Sequence, residues 1–117
     1  MKSFNSITLV GRLVGKPEAK EISKGNKRVS YTLVVKRPYT DGDGKHPADF
    51  FPIVAWNKLG DICESYFDEG SLVLVKGRLQ SRAYQSGKET KWTTEIITES
   101  VNILEYAPKE IAEINKA

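Results

Sequence analysis

At 117 residues, 39% hydrophobic and 28% charged, the chain has the size and make-up of one soluble globular domain with a single core. It contains no apolar run near the roughly 20 residues that span a bilayer and no charged-then-apolar leader, so a cytoplasmic protein with no membrane partner is expected. One cysteine, Cys63, permits neither an internal disulfide nor a zinc cluster. The net charge of +3 is unevenly spread: residues 1–104 hold 16 bases against 12 acids, while Lys58–Glu69 is itself acidic. Positive charge therefore gathers on other elements, which suits a polyanion partner or a merely solvated basic face.

Phe4–Leu13 reads as a first strand, with alternating Ile7 and Leu9 and a bend or bulge at Gly11. Gly15-Lys16-Pro17 breaks it, and a short extended piece around Ala19–Ile22 leads to a turn at Ser23-Lys24-Gly25-Asn26. Arg28–Arg37 is a second strand ended by Pro38, and Thr40–Pro47 a mobile polar loop with two Asp-Gly pairs. Asp49–Trp56 is a third strand. From Asn57 to Phe67 the period becomes helical, with Leu59, Ile62, Cys63 and Tyr66 on one stripe, Asn57 as N-cap and Gly70 as terminator. Ser71–Tyr84 is a long fourth strand, Gln85–Glu89 a hairpin tip and Thr90–Leu104 a fifth strand. Residues 105–117 form a short polar, weakly helical tail.

Five strands with one helix between the third and fourth predict an all-β chain: an OB-fold, a five-stranded Greek-key barrel, occupying residues 1–104. Such folds bind oligonucleotides or oligosaccharides, so the ligand must be argued from side chains.

The segment Leu72–Trp92 carries five bases and one acid. Val73, Val75, Gly77 and Leu79 form its core row, leaving Leu72, Leu74, Lys76, Arg78, Arg82 and Tyr84 on the opposite face. In the third strand Phe50, Pro52, Val54 and Trp56 share one side. Tyr39 follows the cationic exit Lys36-Arg37 of the second strand. Cations neutralise phosphates and aromatic rings stack on bases without reading sequence, which is the chemistry of single-stranded nucleic-acid binding.

Each residue also has a plainer reading. Phe50 and Trp56 either stack on bases or fill the core. Trp92 either stacks or pairs across the hairpin with Tyr84. Arg12 and Lys58 are phosphate ligands or simple surface charges, and Lys88 sits on the hairpin tip. Phe4 and Tyr31 are assigned to the core, Cys63 to the helix's apolar stripe, and His46 to an inert loop position. No nucleophile–base set, phosphate loop or metal-ligand spacing is present, so neither an enzyme nor any cofactor or metal is expected.

The residues resemble the bacterial single-stranded DNA-binding protein family, including phage members, over about Phe4–Leu104. The resemblance is carried by Asn5-Ser6-Ile7-Thr8-Leu9-Val10-Gly11-Arg12-Leu13, Lys16-Pro17-Glu18, Gly25 and Tyr31-Thr32-Leu33-Val34-Val35. It continues through Asp49-Phe50-Phe51-Pro52-Ile53-Val54-Ala55-Trp56-Asn57-Lys58-Leu59, Gly70-Ser71-Leu72-Val73-Leu74-Val75-Lys76-Gly77-Arg78-Leu79, Tyr84 and Thr93-Thr94-Glu95-Ile96. It implies a homotetrameric, nucleoid-associated OB-fold protein that protects single strands during replication, recombination and repair. It places base stacking on Tyr39, Phe50, Trp56 and Tyr84.

Two departures stand out. Main replication members of the family end in a flexible linker and an acidic tip with a proline-phenylalanine pair. This chain ends Glu110-Ile111-Ala112-Glu113-Ile114-Asn115-Lys116-Ala117, so a short accessory form without tip-mediated recruitment of replication and repair proteins is expected. Asp68-Glu69 also stands where many relatives carry a cation. The rival readings are a dimeric OB-fold accessory of replication restart working mainly through protein contacts, and an RNA-binding OB module.

Overall fold

Hydrophobic alternation is strongest in the strands that build the core, and they set the architecture of the computed structural model, which describes residues 2–107. The elements are β1 (Ile7–Leu13), β2 (Glu18–Ser23), β3 (Asn26–Lys36), β4 (Ala48–Trp56), α1 (Asn57–Tyr66), β5 (Leu72–Ser86) and β6 (Glu89–Glu105). The strands form one sheet in the order β1-β5-β6-β4-β3-β2, with β1 also pairing β3. All pairings are antiparallel except β4 with β6, which are parallel through Ile53–Ile96 and Val54–Ile97.

The architecture is OB-like and all-β apart from its single helix, but the expected five-stranded barrel is corrected. There are six strands in one sheet, and the helix lies between the fourth and fifth. The additional strand is β2, read from sequence only as an extended piece. All six of its residues are exposed, so it contributes no buried alternation that periodicity could detect. It exists because Gly25, at φ 83°, closes a hairpin that lays Glu18–Ser23 against β3.

The core is a single cluster of Leu13, Val29, Tyr31, Leu33, Ile53, Ala55, Cys63, Phe67, Val73, Val75 and Ile96. The Tyr31 ring meets Phe67 edge-on at 5.6 Å, and its hydroxyl lies 3.1 Å from Thr98 Oγ1, which satisfies the one phenol in the interior. β1 crosses from β5 to β3 at Gly11, where a Cβ would lie 2.5 Å from the Val34 carbonyl oxygen; the bend expected there is a close backbone approach.

Several local expectations also change. Phe4 precedes β1 and is 94% exposed, whereas Tyr31 is buried. Asn5 instead extends the sheet through its side-chain amide, which accepts from the Leu79 N–H and donates to the Leu79 carbonyl. α1 is capped at Trp56 rather than Asn57. Asn57 adopts φ 53° and its amide oxygen accepts from the Lys27 N–H. The buried helix face is Gly60, Cys63 and the following Phe67, with Leu59 alongside; Ile62 and Tyr66 are exposed. The helix ends at Tyr66, and Gly70 belongs to the next turn. β6 reaches Glu105, one residue into the expected tail, and the helical reading of that tail falls largely on residues 108–117, outside those described.

Candidate nucleic-acid interface

The sheet has a side turned away from the core, and register fixes which residues occupy it. On β3 and β4 the pairs Arg28–Trp56, Ser30–Val54, Thr32–Pro52 and Val34–Phe50 share the side opposite Val29, Tyr31, Leu33, Ile53 and Ala55; Val54 is itself buried there, while Phe50 and Trp56 are exposed. Val54 then neighbours Ile97 of β6, and β6 carries this side onto β5 through Ile97–Arg78, Glu95–Gln80, Thr93–Arg82 and Lys91–Tyr84. The outward side of four adjacent strands thus brings together Lys36, Phe50, Trp56, Arg78, Arg82 and Tyr84.

Phe50, Trp56 and Tyr84 are all exposed, at 62%, 37% and 41%, so neither Phe50 nor Trp56 fills the core. Tyr39 is exposed in the loop after β3, and its hydroxyl accepts a hydrogen bond from Arg37 Nη1 at 2.9 Å. Arg37 is held in turn by both Asp49 oxygens, with Nε to Oδ2 at 3.0 Å and Nη2 to Oδ1 at 2.7 Å. That fork pairing keeps the Asp49 carboxyl below the usual range and raises the guanidinium further, with Tyr39 adding to the latter. The loop beyond is organised: the Arg37 N–H donates to the Pro47 carbonyl, His46 Nδ1 lies 2.9 Å from the Arg37 carbonyl, and Asp41 Oδ1 accepts from the N–H groups of Asp43 and Lys45.

Trp92, 70% exposed, stands opposite Ala83 and not Tyr84, so it projects from the other face of the β5–β6 hairpin. The expected cations divide into two groups. Arg12 is bound to the Gly70 carbonyl and to Glu105, Arg37 to Asp49, and Arg82 to Glu95. Lys36, Lys58, Lys76, Arg78 and Lys88 make no ion pair among the described residues. Lys76 and Lys36 lie outward on their strands and Lys88 sits at the hairpin tip, but Lys58 is in the first turn of α1, in a groove shared with Glu21, Lys27 and Asp61.

Two members of the outward side were missed from sequence. Arg28 lies directly across from Trp56, and buried Glu95 bridges it to Arg82. The signal was present: alternation separates Arg28 from Val29 and Tyr31, and an acid set against Ile96 and Ile97 must find a cation. The acidic Asp68-Glu69 turn has a structural role, since the Asp68 N–H donates to Ser71 Oγ, Asp68 Oδ1 accepts from the Glu69 N–H, and Gly70 takes φ 89°. Among the described residues no group of His, Cys, Asp and Glu could hold a metal ion, and no helix is long and apolar enough to cross a membrane.

The profile of the Single-strand binding protein family matches residues 4–104. The chain belongs to that family. It is 34% identical over 122 aligned positions to the single-stranded DNA-binding protein of Caldanaerobacter subterraneus subsp. tengcongensis, covering 97% of this chain and 81% of that protein. The single-stranded DNA-binding protein 1 of Clostridium acetobutylicum is 39% identical, with 87% of this chain and 94% of the relative covered. Against single-stranded DNA-binding protein 3 of Listeria innocua the identity is 40%, and the match spans 64% of that longer relative. Among solved structures, the Plasmodium falciparum SSB complex with ssDNA superposes with a TM-score of 0.78 at 28% identity, covering 90% of this chain and 98% of that one.

Proposed function

We propose that this chain binds single-stranded DNA without catalysis and without reading base sequence, and protects single strands in replication, recombination and repair. The observation that carries the reading is the outward face on which exposed Phe50, Trp56 and Tyr84 stand among Lys36 and Arg78. Rings supply sequence-tolerant stacking worth about 1–3 kcal/mol per base, and cations supply phosphate neutralisation and counterion release. Tyr39 extends the stacking path at the end of β3, and Lys76 and Lys88 extend its charge along the hairpin. Residues 1–104 form the binding domain in this reading, and its working place is the cytoplasm, on the nucleoid.

The protein works as a homotetramer in this proposal. A groove in which Val10, Val34, Val35 and Leu72 lie beside Arg12 and Lys36 supports self-association, because its apolar part is costly to leave in water. Light scattering decides the stoichiometry: four subunits are expected, and two would favour the rival accessory reading that works through protein contacts.

Fluorescence titration of Trp56 and Trp92 with oligo(dT), beside duplex of equal length and oligo(U), tests the binding itself. The expected result is tight single-strand DNA binding that weakens with salt, with a logarithmic slope of about −0.7 per phosphate neutralised. Preference for duplex, or no binding at low salt, defeats the proposal.

A further inference from the structure

The most enclosed charge cluster on the outward face joins one phosphate ligand read from sequence, Arg82, to two residues that were not, Arg28 and Glu95. Glu95 is only 6% exposed, yet both its oxygens are engaged by cations from other strands: Oε2 accepts from Arg28 Nη2 at 2.8 Å and Oε1 from Arg82 Nε at 3.2 Å. A carboxylate taken out of water needs such pairing. One guanidinium neutralises it, and the trio keeps a net charge of +1. Among the described residues, Arg82 has both terminal nitrogens uncommitted, and Arg28 has Nε and Nη1 uncommitted.

Position gives that residual charge a use. Arg28 stands directly across from the exposed indole of Trp56, and a cleft opens beside it whose walls include Lys16, Glu18, Arg28, Ser30, Pro52 and Glu95, so that Arg28 and Lys16 face two carboxylates of which Glu95 is also paired with Arg82. A guanidinium whose rotamer is already fixed loses little entropy on meeting a ligand, and its fork suits the paired oxygens of a phosphate. A purely structural ion pair would tie β3 to β6 with the carboxylate buried, but would not require Arg28 to keep part of its fork open at a cleft or a second guanidinium to share the same carboxylate; the Arg28 and Arg82 side chains are 22% and 47% exposed.

We propose that Arg28 and Arg82, aimed by Glu95, form a phosphodiester subsite for the nucleotide whose base stacks on Trp56. The inference rests on the single-stranded DNA reading above. Arg28 contacts the phosphate, and Glu95 is a positioning residue that also sets how much positive charge the subsite shows.

The test is oligo(dT) titration of the wild type, Arg28→Gln and Glu95→Gln across a tenfold range of salt, with folding checked by circular dichroism. If the wild type does not bind oligo(dT), the functional reading itself fails. If it binds, Arg28→Gln is expected to flatten the salt slope by about 0.7, so that a tenfold rise in salt costs it about fivefold less affinity than it costs the wild type. Glu95→Gln adds one net positive charge and is expected to steepen the slope. An unchanged Arg28→Gln slope overturns the subsite, because an ion pair that only holds strands together does not change the number of phosphates neutralised. Should Arg28→Gln fail to fold, the Glu95→Gln slope decides in the same way.

Discussion

Tyr84 and Trp92 stand on opposite faces of the β5–β6 hairpin, Tyr84 across from Lys91 and Trp92 across from Ala83. Only Tyr84 shares its face with Arg78 and Arg82, and through β6 with Trp56 and Phe50 of β4. Replacing Tyr84 with alanine is therefore expected to weaken oligo(dT) binding by about 1–3 kcal/mol, the value of one stacked base. Trp92→Ala, although it removes a larger and more exposed ring, is expected to cost less, as is loss of the tip charge in Lys88→Ala. Titrations of the three variants at one salt concentration check the order; equal losses would show that both faces of the hairpin take part.

Arg37 is better understood through Tyr39 than as an independent phosphate ligand, because its fork is already filled by Asp49 and its remaining terminal nitrogen donates to the tyrosine hydroxyl. Arg37→Ala and Tyr39→Ala should then be non-additive: once the ring is gone, removing the guanidinium costs little more. A double-mutant cycle read by oligo(dT) affinity measures the coupling, and strict additivity would return Arg37 to the phosphate path. The acid limb follows from the same pair. The Asp49 carboxyl is depressed below its ordinary value of 3.8 in the fold, so its stabilisation is present above that value and fades only as pH falls through the lower folded one. Binding that depends on Tyr39 should accordingly hold at pH 4.

The half-buried strands were legible because period-2 alternation is a physical consequence of one face meeting the core: that Ile53 and Ala55 share one side and Phe50 and Trp56 the other could be read directly, but which side meets the core could not, and exposure decides it. The helix was read less well. Ile62 and Tyr66 look like core residues by hydrophobicity, but the helix instead turns Gly60 inward, where a Cβ would lie 2.8 Å from Val29 Cγ2 and 2.9 Å from the Ala55 carbonyl oxygen. Close packing on a glycine leaves no apolar signal. The pairing of Arg28 and Arg82 through Glu95 was hidden for another reason: it joins residues 67 and 13 positions apart, and no local pattern encodes which cation a buried acid will meet.

Cys63 is fully buried against the core, and burial pushes its thiol up from 9.0 to about 11, with Tyr31 opposing part of that rise. Two outcomes follow. The thiol should resist alkylating reagents in the native protein at pH 8 and react at full rate only in denaturant. The folded state binds this proton more tightly than the unfolded chain, so the associated stability is complete below pH 9 and is lost between about pH 9 and 11. Tyr31, raised by burial, adds to the same alkaline loss. Denaturant midpoints from pH 7 to 11 should fall over that window for the wild type and fall less for Cys63→Ala.

Gly77 is the tightest steric point of the long hairpin. β5 and β6 shift register between Lys76–Ser100 and Gly77–Thr98, leaving Glu99 as the extra residue. A Cβ on Gly77 would run into the Ile97 carbonyl, which is backbone and cannot rotate aside. Gly77→Ala must therefore push the strands apart beside Val75 and Ile96, at the top of the roughly 1–3 kcal/mol range for overpacking or beyond it. Loss of melting temperature by circular dichroism is the measurement, on the scale of roughly 4–8 °C per kcal/mol for a domain near this size. Gly42 is the control, since it has open space around it and no positive φ, so Gly42→Ala should melt with the wild type. Displacement of the β5–β6 pairing also moves Arg78 relative to Ile97 and β4. Oligo(dT) affinity of Gly77→Ala is thus expected to fall even at temperatures where the variant is fully folded, while that of Gly42→Ala stays unchanged.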